Sequence, residues 1–104
     1  MEFVFAYITT ASREEAMHIG RTLVEERLAA CANVLDGMTS IYRWQGAIEE
    51  AAETILIAKT RATLFDQLSA RVRDLHSYEV PCVVELKIRR GNPAYFDWLR
   101  DETA

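Results

Sequence analysis

The sequence predicts a single α+β domain in which two strand–helix–strand units share one sheet. Three observations carry this prediction. Short apolar runs rich in strand formers alternate with amphipathic helical patterns. A Gln45-Gly46 turn signal separates two extended segments, and no repeat or linker interrupts the chain. A length of 104 residues usually corresponds to one domain with one core, so we predict one domain over residues 1–104.

The first strand and the first helix have the clearest patterns. Phe3–Thr9 is a short run that is apolar on both of its alternating faces, which is typical of a strand covered on both sides of its sheet. Ser12–Arg27 is predicted to be a helix because apolar residues recur in it at helical spacing. Ser12 followed three residues later by Glu15 predicts a capping box at its start.

Ala29–Thr60 is predicted to be a long hairpin, with its turn at Gln45-Gly46 and an irregularity near Asp36-Gly37. Arms of about 14 residues at about 3.3 Å per residue would reach over about 40 Å. A folded chain of this length has a radius of gyration of about 13 Å, so the hairpin should extend beyond the core of the domain. The tip carries three large apolar side chains, those of Ile41, Tyr42 and Trp44. We therefore expect something outside the chain to cover it.

The second half predicts a helix over Arg61–His76, a strand over Pro81–Arg89 and a short C-terminal helix capped by Asn92. With right-handed crossovers, the complete order gives a ferredoxin-like βαββαβ sandwich with a long hairpin and an added helix. In this arrangement one sheet face has no helices, although the first strand is apolar on both faces. The sequence therefore predicts an obligate oligomer.

Composition excludes several classes of function. The formal net charge of −4 argues against nucleic acid as a partner. No apolar run approaches the roughly 20 residues of a membrane span, so no membrane partner is expected. The acidic start does not resemble a signal peptide, and we expect a cytoplasmic protein with reduced cysteines. No Gly-rich phosphate loop or nucleophile elbow is present, so we do not expect an enzyme.

Several separated motifs carry a family resemblance. They are RLAACANV from Arg27, TSIYRWQGAIEE from Thr39, a Lys-Thr pair at Lys59, HSYEVP from His76, and Tyr95 followed by Trp-Leu at the third and fourth positions after it. In this order they resemble the CutA family of divalent cation tolerance proteins. The resemblance implies a ferredoxin-like subunit, a tight trimer formed through the long hairpin, and a role in tolerance of copper or other divalent ions. It implies no enzymatic reaction.

The chain departs from the family pattern around a proposed copper site. Ser77 stands where many members have proline, and Cys82 stands where they have glutamate. Some members have copper assigned to a cysteine at the end of the first strand and to a His-His pair. The corresponding residues here are Ile8 and Leu75-His76, so only His76 carries over.

His76 and Cys82 are the candidate ligands for a weakly bound divalent ion, of which Cu²⁺ is the first expectation. Each also has a structural alternative. His76 stands at the expected end of a helix, where histidine can cap a free carbonyl. Strand periodicity puts Cys82 on the apolar face with Val84, Leu86 and Ile88, which favours burial in the core. The acidic Glu49, Glu50 and Glu53 are expected to form a solvated edge.

A second set of residues predicts a small-ligand site. Its members are polar or aromatic and lie near strand ends and loops, namely Tyr42, Lys59, Tyr78, Glu79 and Trp98. If neighbouring subunits bring them together, they would form a pocket for a small anion or metabolite at the interface. This is the alternative function, a trimeric regulatory protein with clefts between subunits, like the PII signalling proteins. Interface hydrogen bonds are the structural alternative for the same residues.

Overall fold

The computed structural model describes all 104 residues as a four-stranded sheet with three helices. The strands are β1 (Phe3–Thr10), β2 (Cys31–Trp44), β3 (Ala47–Arg61) and β4 (Val83–Ile88). The helices are α1 (Arg13–Glu25), α2 (Phe65–Leu75) and α3 (Pro93–Glu102). The strand order is β2-β3-β1-β4 and every neighbouring pair is antiparallel. The predicted ferredoxin-like βαββαβ fold with an added helix is confirmed.

The main core lies between the sheet and helices α1 and α2. Alternate residues of β1 and β3 point to this side, and facing residues of the two helices cover them. Its largest fully buried side chains are those of Ile8, Ile19, Leu23, Leu56, Leu68 and Val72. The apolar stripes predicted for the two helices are therefore the surfaces that hold them on the sheet.

Helix α1 begins at the predicted cap. The Ser12 hydroxyl accepts a hydrogen bond from the Glu15 backbone N–H at 3.1 Å. The return bond differs from the usual capping box, because the Glu15 carboxylate accepts from the Ala11 N–H, at 2.9 Å, instead of from Ser12. Helix α2 begins later than predicted. Arg61 still belongs to β3, where it pairs with Phe3, and a 3-10 turn over Ala62–Leu64 precedes the helix.

The hairpin of β2 and β3 turns at the predicted residues. Gln45 and Gly46 form a two-residue loop between the paired Trp44 and Ala47, and both have positive φ, 48° and 83°. Positive φ at both positions is the requirement of a type I′ turn, which matches the twist of the strands. The molecule measures 45 × 25 × 23 Å, and residues 41–50 are all exposed. The hairpin therefore extends beyond the core, as predicted.

The second face of the sheet, opposite α1 and α2, is called the open face below. Contrary to the prediction, one end of it is covered, because α3 packs there. Phe96 stacks on Phe3 with ring centroids 5.0 Å apart, and Leu99 is fully buried. On the same helix, Tyr95 and Trp98 are exposed. None of the three helices is long and apolar enough to cross a membrane.

The orientation predicted for the last strand was also wrong. Register with β1 pairs Val83 with the buried Ile8, so Val83 faces the helices and the alternate residues face away. Val84 and Leu86 lie on the open face with 48% and 52% of their surface exposed. Cys82 precedes the strand and is exposed instead of buried in the core. The apolar face of this edge strand belongs to the surface that α1 and α2 do not cover.

Candidate functional site

The loop between α2 and β4, residues 76–82, is fixed in place by His76. The imidazole is completely buried, and both ring nitrogens are hydrogen-bonded. Nε2 lies 2.8 Å from the Thr9 carbonyl oxygen, which can only accept, so Nε2 carries the proton and donates. Nδ1 accepts the backbone N–H of Tyr78 at 3.0 Å. His76 therefore joins the end of β1 to the start of this loop.

Glu15 holds the same loop from helix α1. One carboxylate oxygen accepts the N–H of Ser77 at 2.8 Å, and the other accepts the N–H of Ala11. Burial by itself would raise the pKa of Glu15, but these hydrogen bonds stabilise the charged form. The net result is a pKa below the ordinary value. The anionic side chain thus ties the start of α1 to the loop.

Tyr78 connects the loop to the hairpin. Its hydroxyl donates to Glu53 Oε2 at 2.7 Å, and its ring lies 4.7 Å from that of His76, centroid to centroid. Burial and the adjacent Glu53 carboxylate raise the pKa of Tyr78 far above its ordinary value. The phenol therefore remains protonated and keeps donating. Glu53 was expected on a solvated edge, and the structure instead makes it the acceptor of this bond.

A β-bulge decides which hairpin side chains reach this loop. Leu35 pairs with Ile55 and Met38 pairs with Glu53, so two residues of β2 stand opposite one residue of β3. Gly37, one of these two, has φ of 84°, a conformation that glycine adopts without strain. Before the bulge the odd-numbered residues of β2 lie on the open face, and beyond it the even-numbered residues do. As a consequence, Tyr42 and Trp44 share the open face with Glu53.

Together these elements enclose a cleft of about 370 Å³, called the hairpin cleft below. Its lining residues come from the end of β1, the hairpin and the 76–82 loop, and they are Thr9, Tyr42, Trp44, Glu53, Tyr78, Glu79, Val80 and Cys82. The surface is largely apolar and aromatic, with two carboxylates and no basic side chain. Such a concave, mostly apolar cleft with a few polar groups is the usual form of a small-ligand site.

The predicted ligand residues divide into two groups in the structure. Tyr42, Tyr78 and Glu79 line the hairpin cleft. Lys59 and Trp98 lie instead around α3. Lys59 Nζ is 3.4 Å from the Tyr95 hydroxyl and 5.5 Å from the centroid of the Phe5 ring, and Trp98 packs on Tyr95 at 5.6 Å.

Trp44 and Glu53 are among the cleft residues that were absent from the predicted ligand set. The position of Trp44 depends on the bulge, and the only sequence signal for a bulge was the Asp36-Gly37 dipeptide within a strand pattern. Glu53 was recognised as part of an acidic set but not as a partner of Tyr78. That pairing joins positions 25 apart in sequence, so local patterning could not reveal it.

Comparison with known proteins agrees with this fold and with the sequence motifs. The family model described as CutA1 divalent ion tolerance protein matches residues 4–102. The chain belongs to the CutA1 family. The family name describes tolerance of divalent ions and no reaction.

Individual CutA relatives are similar over most of this chain. The divalent-cation tolerance protein CutA of Thermus thermophilus is 52% identical over 96 residues, which cover 92% of this chain and 93% of the relative. Its solved structure superposes with a TM-score of 0.95 at 51% identity, covering 100% of both chains. Mouse Protein CutA is 42% identical over 98 residues, which cover 94% of this chain, but the chain spans only 55% of that longer relative. A structure from Archaeoglobus fulgidus, named as a periplasmic divalent cation tolerance protein, gives a TM-score of 0.94 at 39% identity and covers 96% and 97% of the two chains.

Within this single chain, the side chains do not form a complete metal-ion site. No three side chains of His, Cys, Asp or Glu come together in a ligand cluster. Neither nitrogen of His76 is free, because each is already hydrogen-bonded. Cys82 lies in the hairpin cleft, where burial and the nearby Glu53 raise the pKa of its thiol. Since metals bind the thiolate, this favours the protonated, non-ligating form. The predicted metal role of these two residues stays a prediction.

Proposed function

We propose that this chain is a homotrimeric, cytoplasmic, non-enzymatic protein that contributes to tolerance of divalent metal ions, copper among them, through weak ion binding. Membership of the CutA1 family supports the metal role. The observation that supports assembly is the apolar surface left uncovered by the subunit itself. Monomeric proteins rarely expose contiguous apolar patches of more than a few hundred Å².

The distribution of this apolar surface favours a closed ring over a simple dimer. Ile41 and Ile48, which are 70% and 67% exposed, lie on one face of the hairpin. Trp44, which is 52% exposed, lies on the other face of the hairpin, on the same side of the sheet as the exposed Val84 and Leu86. A two-fold dimer covers one self-complementary patch, whereas a head-to-tail ring covers two different patches on each subunit. Three subunits is the number implied by the family resemblance.

Size-exclusion chromatography with light scattering tests this assembly. We expect the mass of three chains for the wild type, and a smaller species for Leu86→Glu, because a charge on the open face would have to be buried in the interface. Glu85→Gln, on the opposite face of the same strand, should leave the trimer intact. A wild-type monomer would contradict the proposal.

The geometry around His76 is the reason that we propose weak and not tight metal binding. To coordinate an ion, its ring must give up its bond to Thr9 or the one from Tyr78, and that cost lowers the affinity. Cys82 must lose its proton, which makes binding stronger as pH rises. Neighbouring subunits of the trimer would have to supply the remaining ligands.

Calorimetric titration of the intact assembly with Cu²⁺ and Zn²⁺ tests the metal role. We expect the affinity to fall in His76→Ala and in Cys82→Ser, while Cys31→Ser, at the other free thiol, should bind as the wild type does. Equal affinity in all four proteins would remove His76 and Cys82 from the metal site.

The hairpin cleft favours a second candidate function, a regulatory protein that binds a small ligand between subunits. The supporting observation is that three of the predicted ligand residues line one cleft of about 370 Å³. Because the hairpin cleft opens on the face through which we propose trimerisation, a neighbouring subunit would close it from outside. A thermal-shift screen with small metabolites tests this function, and a ligand that raises the melting temperature of the wild type but not of Tyr42→Ala would support it.

The cytoplasmic location rests on two free thiols, Cys31 and Cys82, which suit a reducing compartment. The Archaeoglobus relative, in contrast, is named as periplasmic. Cell fractionation followed by immunodetection tests the location, and recovery outside the cytoplasmic fraction would contradict it.

A further inference from the structure

We infer that the hairpin cleft binds a small organic ammonium ion, held between the rings of Tyr42, Trp44 and Tyr78 and the carboxylate of Glu79. The inference rests on the proposed ligand-binding role of this cleft and adds the chemical class of the ligand. The sequence alone supports a small anion or metabolite, and the inference replaces the anion with a cation.

The first argument is the charge of the hairpin cleft. Its lining includes two carboxylates, those of Glu53 and Glu79, and no basic side chain. None of the ion pairs of the structure involves either carboxylate. The hydrogen bond from Tyr78 satisfies one oxygen of Glu53, but the phenol is neutral and leaves the negative charge in place. An anion would meet repulsion here, and a cation would be attracted.

The second argument is the aromatic character of the same surface. Three of the lining side chains are aromatic, and Val80 and Cys82 add apolar contact. The face of an aromatic ring attracts cations within about 6 Å, and indole is the strongest of the three ring types in proteins. Rings that surround an ammonium group while carboxylates balance its charge are the usual means of recognising quaternary ammonium ligands.

The third argument separates an organic cation from a metal ion. A metal needs several donor atoms gathered within bonding distance, and no group of three His, Cys, Asp or Glu side chains meets that condition. An ammonium group needs no such cluster, because ring faces and one nearby carboxylate suffice. The volume of about 370 Å³ lies at the small end of ligand cavities and suits a ligand of choline size.

Isothermal titration of the native assembly with choline chloride and tetramethylammonium chloride tests the inference. The matched control ligand is 3,3-dimethylbutan-1-ol, which has the shape of choline without its charge. We expect both cations to bind and the neutral alcohol to bind about tenfold more weakly, since it loses the cation–π and charge attraction. Sodium phosphate and ADP serve as anionic probes and should not bind.

Variants of this protein test whether choline binds in the hairpin cleft. Trp44→Leu should weaken choline binding about fivefold, and Trp44→Phe, which keeps a ring, should weaken it less. Glu79→Gln should weaken it and reduce its dependence on salt. Tyr95→Leu, an aromatic site outside the hairpin cleft, and Glu85→Gln, a carboxylate outside it, should bind as the wild type does. Light scattering and circular dichroism on each variant separate lost binding from lost folding.

The outcomes distinguish this inference from the function on which it rests. Binding of phosphate or ADP that Trp44→Leu abolishes would keep the hairpin cleft as a ligand site and overturn its cationic class. Choline binding that is unchanged in Trp44→Leu and Glu79→Gln would place the cation elsewhere and overturn the inference. If no cation and no anion binds, the ligand-binding role of the cleft fails together with the inference.

Discussion

The hydroxyl of Tyr78 donates a 2.7 Å hydrogen bond to Glu53 Oε2, and this bond joins the 76–82 loop to the long hairpin. Tyr78 lies within a loop that is held by β1 and α1, and Glu53 belongs to β3. Both residues line the hairpin cleft, so the bond holds the part of its lining that comes from the loop against the part that comes from the hairpin.

Removing that hydroxyl is expected to lower the free energy of unfolding. In Tyr78→Phe the partly buried Glu53 carboxylate loses a donor, and we expect a loss of about 1 kcal/mol in the free energy of unfolding. Urea denaturation followed by circular dichroism measures it. Tyr42→Phe is the matched control, since the Tyr42 hydroxyl makes no hydrogen bond within the chain. A loss of the same size in both variants would show that the Glu53 bond is not its source.

His76 is expected to matter more for stability than any exposed polar residue. His76→Ala removes two hydrogen bonds and leaves the Thr9 carbonyl and the Tyr78 N–H without partners beneath the loop. We expect a loss of about 2–4 kcal/mol in the free energy of unfolding. His18→Ala, on the exposed side of α1, should change it by less than about 0.5 kcal/mol. Urea denaturation of both variants at neutral pH measures the difference, and a small effect at His76 would contradict the role assigned to it.

Acid should destabilise the protein partly through Glu15. The pKa of this carboxyl is lower in the folded state than the ordinary value of 4.5. Its charged form therefore stabilises the fold above pH 4.5, and this stability is lost as the pH falls through the folded-state pKa. Glu15→Gln should lower the free energy of unfolding at neutral pH by about 1–2 kcal/mol and flatten its fall in acid.

Urea denaturation at a series of pH values from 7 downward checks this expectation. Glu14→Gln is the control, because Glu14 is the exposed neighbour on the same helical turn. If the Glu14 and Glu15 variants have the same acid dependence as the wild type, the hydrogen bonds of Glu15 do not contribute to it.

The sequence predicted those features that local patterns determine. The alternating run of Phe3–Thr9, the Ser12 cap and the Gln45-Gly46 turn each depend on a few neighbouring residues, and each was found where predicted. The long hairpin followed from two such segments and one turn. These elements in order limit the topology to very few choices, so the fold could be predicted.

The sheet face on which a strand residue lies, and its contacts with residues distant in sequence, could not be predicted in the same way. Cys82 has the periodicity of an apolar strand face, but only the position of β4 at the sheet edge decides that this face is the open one. The pairing of Tyr78 with Glu53 depends on how far the loop folds back over the hairpin. The facing of Trp44 depends on whether Gly37 forms a bulge, which is decided by pairing with β3. The site therefore needed the tertiary structure.

The bulge at Gly37 is expected to affect the hairpin cleft although Gly37 does not line it. Gly37 has φ of 84°, and a Cβ built there meets nothing within 4 Å, so backbone strain is the only cost of a side chain. We expect Gly37→Ala to lower the free energy of unfolding by about 1 kcal/mol, and Gly37→Asn to lower it less, since asparagine tolerates positive φ. Urea denaturation of the three proteins measures this order.

Deleting Gly37 tests directly whether this inserted residue decides the face on which Tyr42 and Trp44 lie. Without the extra residue, regular pairing would turn Tyr42 and Trp44 to the other side of the hairpin and bring Ile41 and Arg43 to the open face. The cleft would then lose two rings and gain a positive charge. In a Trp98→Phe background, where Trp44 is the only indole, we expect the emission to shift to longer wavelength as Trp44 leaves the cleft, compared with the undeleted protein and Gly37→Asn in the same background. An unchanged Trp44 spectrum in a folded deletion variant would mean that pairing with β3, and not the inserted glycine, sets the facing of the hairpin tip.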